Sequence, residues 1–107
     1  MVNIGERRGR PRVEIKMIVS QLGEAKNLSE GGMCMRSHSP FALGSPTNVE
    51  FKLPGASETI RCWGEIVWNR RLPEGLGFEA GLRFISISRE DRNRIARFID
   101  DNPELAH

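Results

Sequence analysis

The chain has no tyrosine, and only two histidines and two cysteines in 107 residues. His38 falls in a loop-like stretch and His107 is the last residue, so neither makes a spaced ligand set with Cys34 and Cys62. No metal site is expected on that basis. The acidic residues are scattered without a paired arrangement, and nothing reads as a nucleophile with a base and an orienting partner. An enzyme is therefore the least favoured class, and no cofactor is expected. Small secreted scaffolds usually carry more cysteine than this. Both thiols are expected reduced and buried on strands, in preference to a disulfide. No apolar run approaches the roughly 20 residues of a membrane helix, so no membrane insertion is expected. The chain runs straight to Glu6-Arg7-Arg8 with no apolar leader, which makes the cytoplasm the expected compartment.

What is present suits one small folded domain. Hydrophobic content is 38% and charged content 28%, enough for one modest core and too apolar for a disordered chain. The net charge is only +2, but it is unevenly placed. Arg7, Arg8, Arg10 and Arg12 stand against Glu6 alone, a balance of +3 in residues 1–12, while the remaining 12 basic and 13 acidic residues give −1. A nucleic-acid binder more often spreads basic residues over a face. Here the body is neutral and one arm carries the excess.

Residues 1–12 have no apolar periodicity and read as a flexible basic arm, stiffened at Pro11. Val13-Glu14-Ile15-Lys16-Met17 alternates with period two, a half-buried strand that continues to Val19. Gln21 to Lys26 returns antiparallel. Asn27 to Gly32 has turn chemistry, Met33-Cys34-Met35 is a short strand, and Ser37 to Pro46 is a loop. Asn48 to Leu53 turns Val49, Phe51 and Leu53 inward before Pro54-Gly55 breaks it. Glu58 to Asn69 is the longest strand, with Ile60, Cys62, Gly64, Ile66 and Trp68 on one face. Arg61, Trp63, Glu65 and Val67 take the other, and Gly64 marks a bulge or tight bend. At least one of Trp63 and Trp68 is thus expected in the core, and aromatic stacking on a ligand is the lesser reading. Arg70 to Gly77 is a loop, and Phe78 to Ile87 a strand interrupted by Gly81. Short strands at this spacing argue for a small barrel. The period then changes. Ser88-x-x-Asp91 resembles a capping box, and Ile95, Phe98 and Ile99 follow at helical spacing until Asp100-Asp101-Asn102-Pro103. Residues 13–101 form the expected domain with its closing helix, and 102–107 a short tail.

Two motifs carry the chemistry. Arg8-x-x-x-Arg12 lies within Arg7-Arg8-Gly9-Arg10-Pro11-Arg12. An arginine fork matches guanine O6 and N7 bidentately and also grips phosphate oxygens. By itself the run also reads as a solvated basic tail. Asn27-x-Ser29-x-x-Gly32 follows. Its amide offers donor and acceptor, its hydroxyl rotates, and its glycine permits close backbone approach. By itself this is an ordinary turn. Asn27-Leu28-Ser29 is also formally a glycosylation sequon, discounted without a secretory signal.

In this order the two motifs resemble the PilZ domain family, whose pattern is RxxxR followed by D/NxSxxG. Trp63-Gly64-Glu65-Ile66-Val67-Trp68 looks like the family's central strand, Gly81-Leu82-Arg83-Phe84 like its late strand, and Ser88 to Asp101 like its closing helix. The resemblance covers residues 6–101. It implies an all-β fold, a six-stranded antiparallel barrel with a C-terminal α-helix. It also implies a receptor for the bacterial second messenger cyclic di-GMP, which orders its arginine arm on the ligand and signals to a partner protein. Carried over by position, the ligand-binding residues are Arg8, Arg12, Asn27, Ser29 and Gly32, with Arg7 as helper. Asn27 replaces the more acidic alternative and removes one carboxylate oxygen. Arg10 is open between a secondary phosphate contact and a solvated side chain. Arg83 faces either the ligand or the barrel rim, with the structural role preferred. A partner in motility, exopolysaccharide output or gene regulation, one or two ligands per site, and a monomer or homodimer all fit. The competing readings are a ligand-independent adaptor acting by protein contact and, less favoured, general RNA or DNA binding by a small barrel.

Overall fold

A computed structural model of the protein describes residues 12–105. Six strands account for most of it: β1 Arg12–Val19, β2 Gly23–Ser29, β3 Gly32–Ser37, β4 Pro46–Phe51, β5 Ile60–Arg71 and β6 Phe78–Ser86. One helix, α1, spans Arg89–Asp101. All neighbouring strands are antiparallel, and the order β1-β2-β3-β6-β5-β4 closes into a barrel. Closure between β1 and β4 rests on a single Cα pair, Val19↔Phe51, supported by the Ser20 amide donating to the Glu50 carbonyl at 2.9 Å.

The inward positions of β1, of β4 and of the first half of β5 are those that alternation picked out. Val13, Met17 and Val19 of β1, Leu28 of β2 and Met33 and Met35 of β3 are buried. So are Val49 and Phe51 of β4, Leu53 just beyond it, Ile60, Cys62 and Ile66 of β5, and Leu82 and Phe84 of β6. The Phe51 and Phe84 rings stack within this core, their centroids 6.2 Å apart and their planes at 15°. Gly64 has a packing reason: a Cβ there would come within 2.8 Å of a Leu82 methyl and 3.0 Å of a Val49 methyl. The register also slips beside it, between Trp63 and Gly64.

Four details depart from the sequence-based expectation. Asn27, Leu28 and Ser29 continue β2, and only Glu30 and Gly31 form the turn. Burial of Leu28 in the core, after a register slip between Ala25 and Asn27, holds the strand through a segment whose composition is turn-like. Strand β5 runs on through Arg70 and Arg71, which pair with Glu79 and Phe78. Cys62 is buried, but Cys34 is only half-buried, and both thiols are free. Finally, Trp63 is 46% and Trp68 43% exposed, so neither tryptophan is in the core. A second register slip, between Ile66 and Trp68, turns Trp68 outward where unbroken alternation would bury it.

The helix begins as its capping residues dictate. Ser88 is the N-cap, and its hydroxyl accepts from the Asp91 amide at 3.0 Å. Ile95 and Ile99 join the barrel core, and Phe98 packs against it. Arg94, on the polar face, reaches Asp91 at 2.6 Å and Glu90 at 3.0 Å. Beyond the helix, Pro103–Leu105 makes a 3-10 turn whose Leu105 also packs on the core. Ser88→Ala is expected to lower stability by about 1 kcal/mol through the lost cap. Urea denaturation would show it as a lower midpoint at unchanged slope. No helix among the described residues is long and apolar enough to cross a membrane.

Candidate functional site

Pairing across the sheet brings the motif residues together. Arg12 is opposite Ser29, Ser29 opposite Gly32, Gly32 opposite Arg83, and Arg83 opposite Glu65. This makes one continuous row over β1, β2, β3, β6 and β5. A second row beside it runs Glu14, Asn27, Cys34, Gly81, Trp68. Direct partners in a sheet point to the same face, so both rows lie on the barrel's outer surface. Their middles are small residues and their ends are long ones. The result is a cleft of about 720 Å³, floored by Ser29, Gly32, Cys34 and Gly81 and walled by Arg12 and Asn27 on one side and Trp68 and Arg83 on the other.

Each side chain has an identifiable anchor. The Arg12 guanidinium donates to the Asn27 amide oxygen, locking the first wall. Ser29 is only 3% exposed. Its hydroxyl accepts from the Gly31 amide at 3.3 Å and donates to the Gly32 carbonyl at 3.4 Å, so it also braces the hairpin turn. The Gly31 carbonyl accepts from the Phe84 amide at 2.9 Å, which ties that turn to β6. A Cβ on Gly32 would sit 2.0 Å from the Leu82 carbonyl oxygen. Glycine here is what lets β3 start against β6. Gly81 serves the other wall: a Cβ would fall 2.1 Å from the Trp68 indole nitrogen. The indole therefore lies over Gly81, half-exposed and bordering the cleft.

Of the sequence-derived site residues, Arg12, Asn27, Ser29 and Gly32 thus meet at one place. Arg7 and Arg8, with Arg10, lie outside the described residues. Trp68, Cys34, Gly81 and Arg83 border the same cleft but belong to neither motif. Gly81 was the available signal, since a glycine inside a strand often marks close approach by another group. Which group approaches depends on the β5–β6 slip, which sequence periodicity does not contain.

Burial, and secondarily the Glu79 charge, push the Cys34 thiol above its ordinary value. Burial, with Asp91 adding to it, pushes Cys62 up to about 11. Both thiols are protonated at neutral pH, and a protonated thiol is a poor nucleophile. Among the described residues no group of three or more His, Cys, Asp or Glu is placed to hold a metal ion. Beyond the second row, Glu79 takes two bonds from Arg70, at 3.0 and 2.6 Å, and one from Arg36 at 3.4 Å.

The Arg70 bonds, with a smaller contribution from the one Arg36 bond, outweigh partial burial and hold the Glu79 carboxyl below its ordinary value of 4.5. A folded-state value below the unfolded one means stability present above the unfolded value and lost as pH falls through the folded one. Glu79→Gln is thus expected to be less stable than the parent at pH 7. The difference should shrink below about pH 4.5 and vanish once the parent carboxyl is protonated. Urea midpoints of both proteins from pH 7 to pH 2 would show the convergence. A constant gap would refute the linkage.

The PilZ domain model matches residues 6–101. The chain belongs to the PilZ domain family. Among solved structures, the Bacillus subtilis inhibitor of motility (MotI/DgrA) superposes on this PilZ domain with a TM-score of 0.77. Identity is 16%, over 91% of this chain and 51% of that one, so this chain spans about half the length of that protein. At such identity the likeness is one of fold. No curated protein matches the chain.

Proposed function

We propose that this PilZ domain is a cyclic di-GMP receptor whose ligand lies in the cleft and is covered by the arginine arm. The observation that carries the reading is convergence. Arg12, Asn27, Ser29 and Gly32 come from three strands and border one cleft. In this reading Arg12, with Arg8 and Arg7 from the arm, grips guanine edges and phosphates through bidentate forks. The Asn27 amide and the floor meet the ligand from the barrel side. The exposed face of Trp68 offers a stacking surface for a base. Binding orders the arm and presents a changed surface to a partner protein. The module binds and signals, without catalysis or a cofactor, in the cytoplasm. Control of motility is one process it fits, because the structural neighbour is named as an inhibitor of motility.

Calorimetric titration with cyclic di-GMP tests this. Heat is expected with the parent protein and a large loss with Arg8→Ala and with Ser29→Ala. No heat with the parent would end the idea. A second reading, an adaptor acting by protein contact alone, draws on Trp63 and Ile85. They are 46% and 42% exposed on adjacent strands. Partner capture that needs no nucleotide and survives Arg12→Ala would favour it.

A further inference from the structure

Within the first row, a cation stands on each side of the Ser29–Gly32 floor. Arg12 stands at its β1 end and Arg83 at its β6 end, with only Ser29 and Gly32 between them. Three strand spacings separate them, about 14 Å along the sheet before curvature is counted. Both side chains border the cleft, yet they are held in different ways. Arg12 donates to a neutral amide, Asn27. Arg83 donates to a carboxylate, Glu65, at 2.7 Å. The Arg83 side chain is 60% exposed, whereas Glu65 is 28% exposed. The less exposed carboxylate is the fixed member of the pair, and the arginine is the one with room to turn.

We propose that Arg83 is a ligand-contacting residue of this cleft and that Glu65 competes with the ligand for it. The proposal rests on the cyclic dinucleotide reading and goes beyond its two motifs. An incoming phosphate oxygen offers Arg83 the same charge-assisted, planar match that Glu65 provides. An exposed ion pair is weak enough to exchange. In the unliganded domain the Glu65 contact holds Arg83 toward β5, away from the Ser29–Gly32 floor, and screens its charge. On binding, Arg83 turns to the ligand and Glu65 returns to water. A dianionic ligand then meets a cation on each side of the Ser29–Gly32 floor, and Glu65 sets the affinity by weakening it.

The test is calorimetric titration of cyclic di-GMP into the parent, Arg83→Ala, Glu65→Gln, the double variant and Ser29→Ala, with a thermal melt of each unliganded protein. Arg83→Ala is expected to weaken binding by about tenfold or more, the scale of one charge-assisted bond. Glu65→Gln is expected to tighten binding by about two- to fivefold while leaving unliganded stability equal or slightly lower. A purely structural ion pair would not produce that combination. In the double variant the gain should disappear, because Glu65 acts only through Arg83. Parent-like binding by Arg83→Ala, alongside weakened binding by Ser29→Ala, overturns this inference and leaves the receptor reading intact. A Glu65→Gln gain that persists without Arg83 overturns the exchange, since it would reflect simple repulsion of the anion. No binding by the parent overturns both.

Discussion

Gly32→Ala is expected to destabilise the domain by about 1–3 kcal/mol, near the upper end, and to abolish ligand binding. The added methyl would come within 2.0 Å of the Leu82 carbonyl oxygen and 3.1 Å of the Arg83 Cα. Both contacts are backbone, so no rotamer change relieves them. The two strands cannot part cheaply either. They are paired from Gly32↔Arg83 to Ser37↔Phe78, and the Gly31 carbonyl is bonded to the Phe84 amide next to the clash. A domain of this size loses roughly 4–8 °C per kcal/mol, so the melting temperature should fall by about 10–20 °C. The glycine of the second motif is thus explained by β6, with no ligand required. An alanine variant that melted like the parent but failed to bind would reverse that conclusion and assign the glycine to ligand approach alone.

Arg12→Ala is expected to do the opposite, leaving the fold almost untouched and weakening cyclic di-GMP binding by about ten- to a hundredfold. Arg12 is the first residue of β1, is exposed, and has its side chain bonded to the half-buried Asn27 amide. Loss of that contact should shift stability by no more than about 1 kcal/mol. A bidentate, charge-assisted contact to the ligand is worth roughly 1.5–3 kcal/mol, the source of the expected loss. Arg12→Lys should recover only part of it, because an ammonium cannot reproduce the planar fork. Melting curves and calorimetric titrations of the two variants separate the effects. Binding by Arg12→Ala within twofold of the parent would remove Arg12 from the ligand site.

Much of this arrangement is legible in the amino-acid sequence. Alternation at Val13 to Val19 and at Val49, Phe51 and Leu53 reports burial correctly, because a residue's side of the sheet follows from counting by two. Ser88 marks the helix start because its cap bond is local. Two kinds of information are not local. Asn27 to Gly32 looks like a turn by composition, yet most of it is strand, since Leu28 is committed to the core. Trp68 looks like a core residue by counting, yet the slip against β6 turns it out over Gly81. A bulge is a property of two strands, and one strand's sequence does not record it. The cleft follows the same rule. Its motif half is readable, whereas Gly81 and Arg83 join it only through the β3–β6 pairing.

That pairing has a mechanical consequence. Strands β1 to β3 form one meander and β4 to β6 another, each closed by its own hairpins, with residues 38–45 as the link. The two meanders meet along β3–β6 and at the single β1–β4 pair. Arg12, Asn27, Ser29, Gly32 and Cys34 belong to the first, and Trp68, Gly81 and Arg83 to the second. The cleft therefore exists only while the meanders are docked, and a molecule bound in it acts as a staple across their seam. Its binding energy adds to the cohesion of the barrel itself. The amides of the β3–β6 ladder should then exchange with solvent more slowly when the cleft is filled.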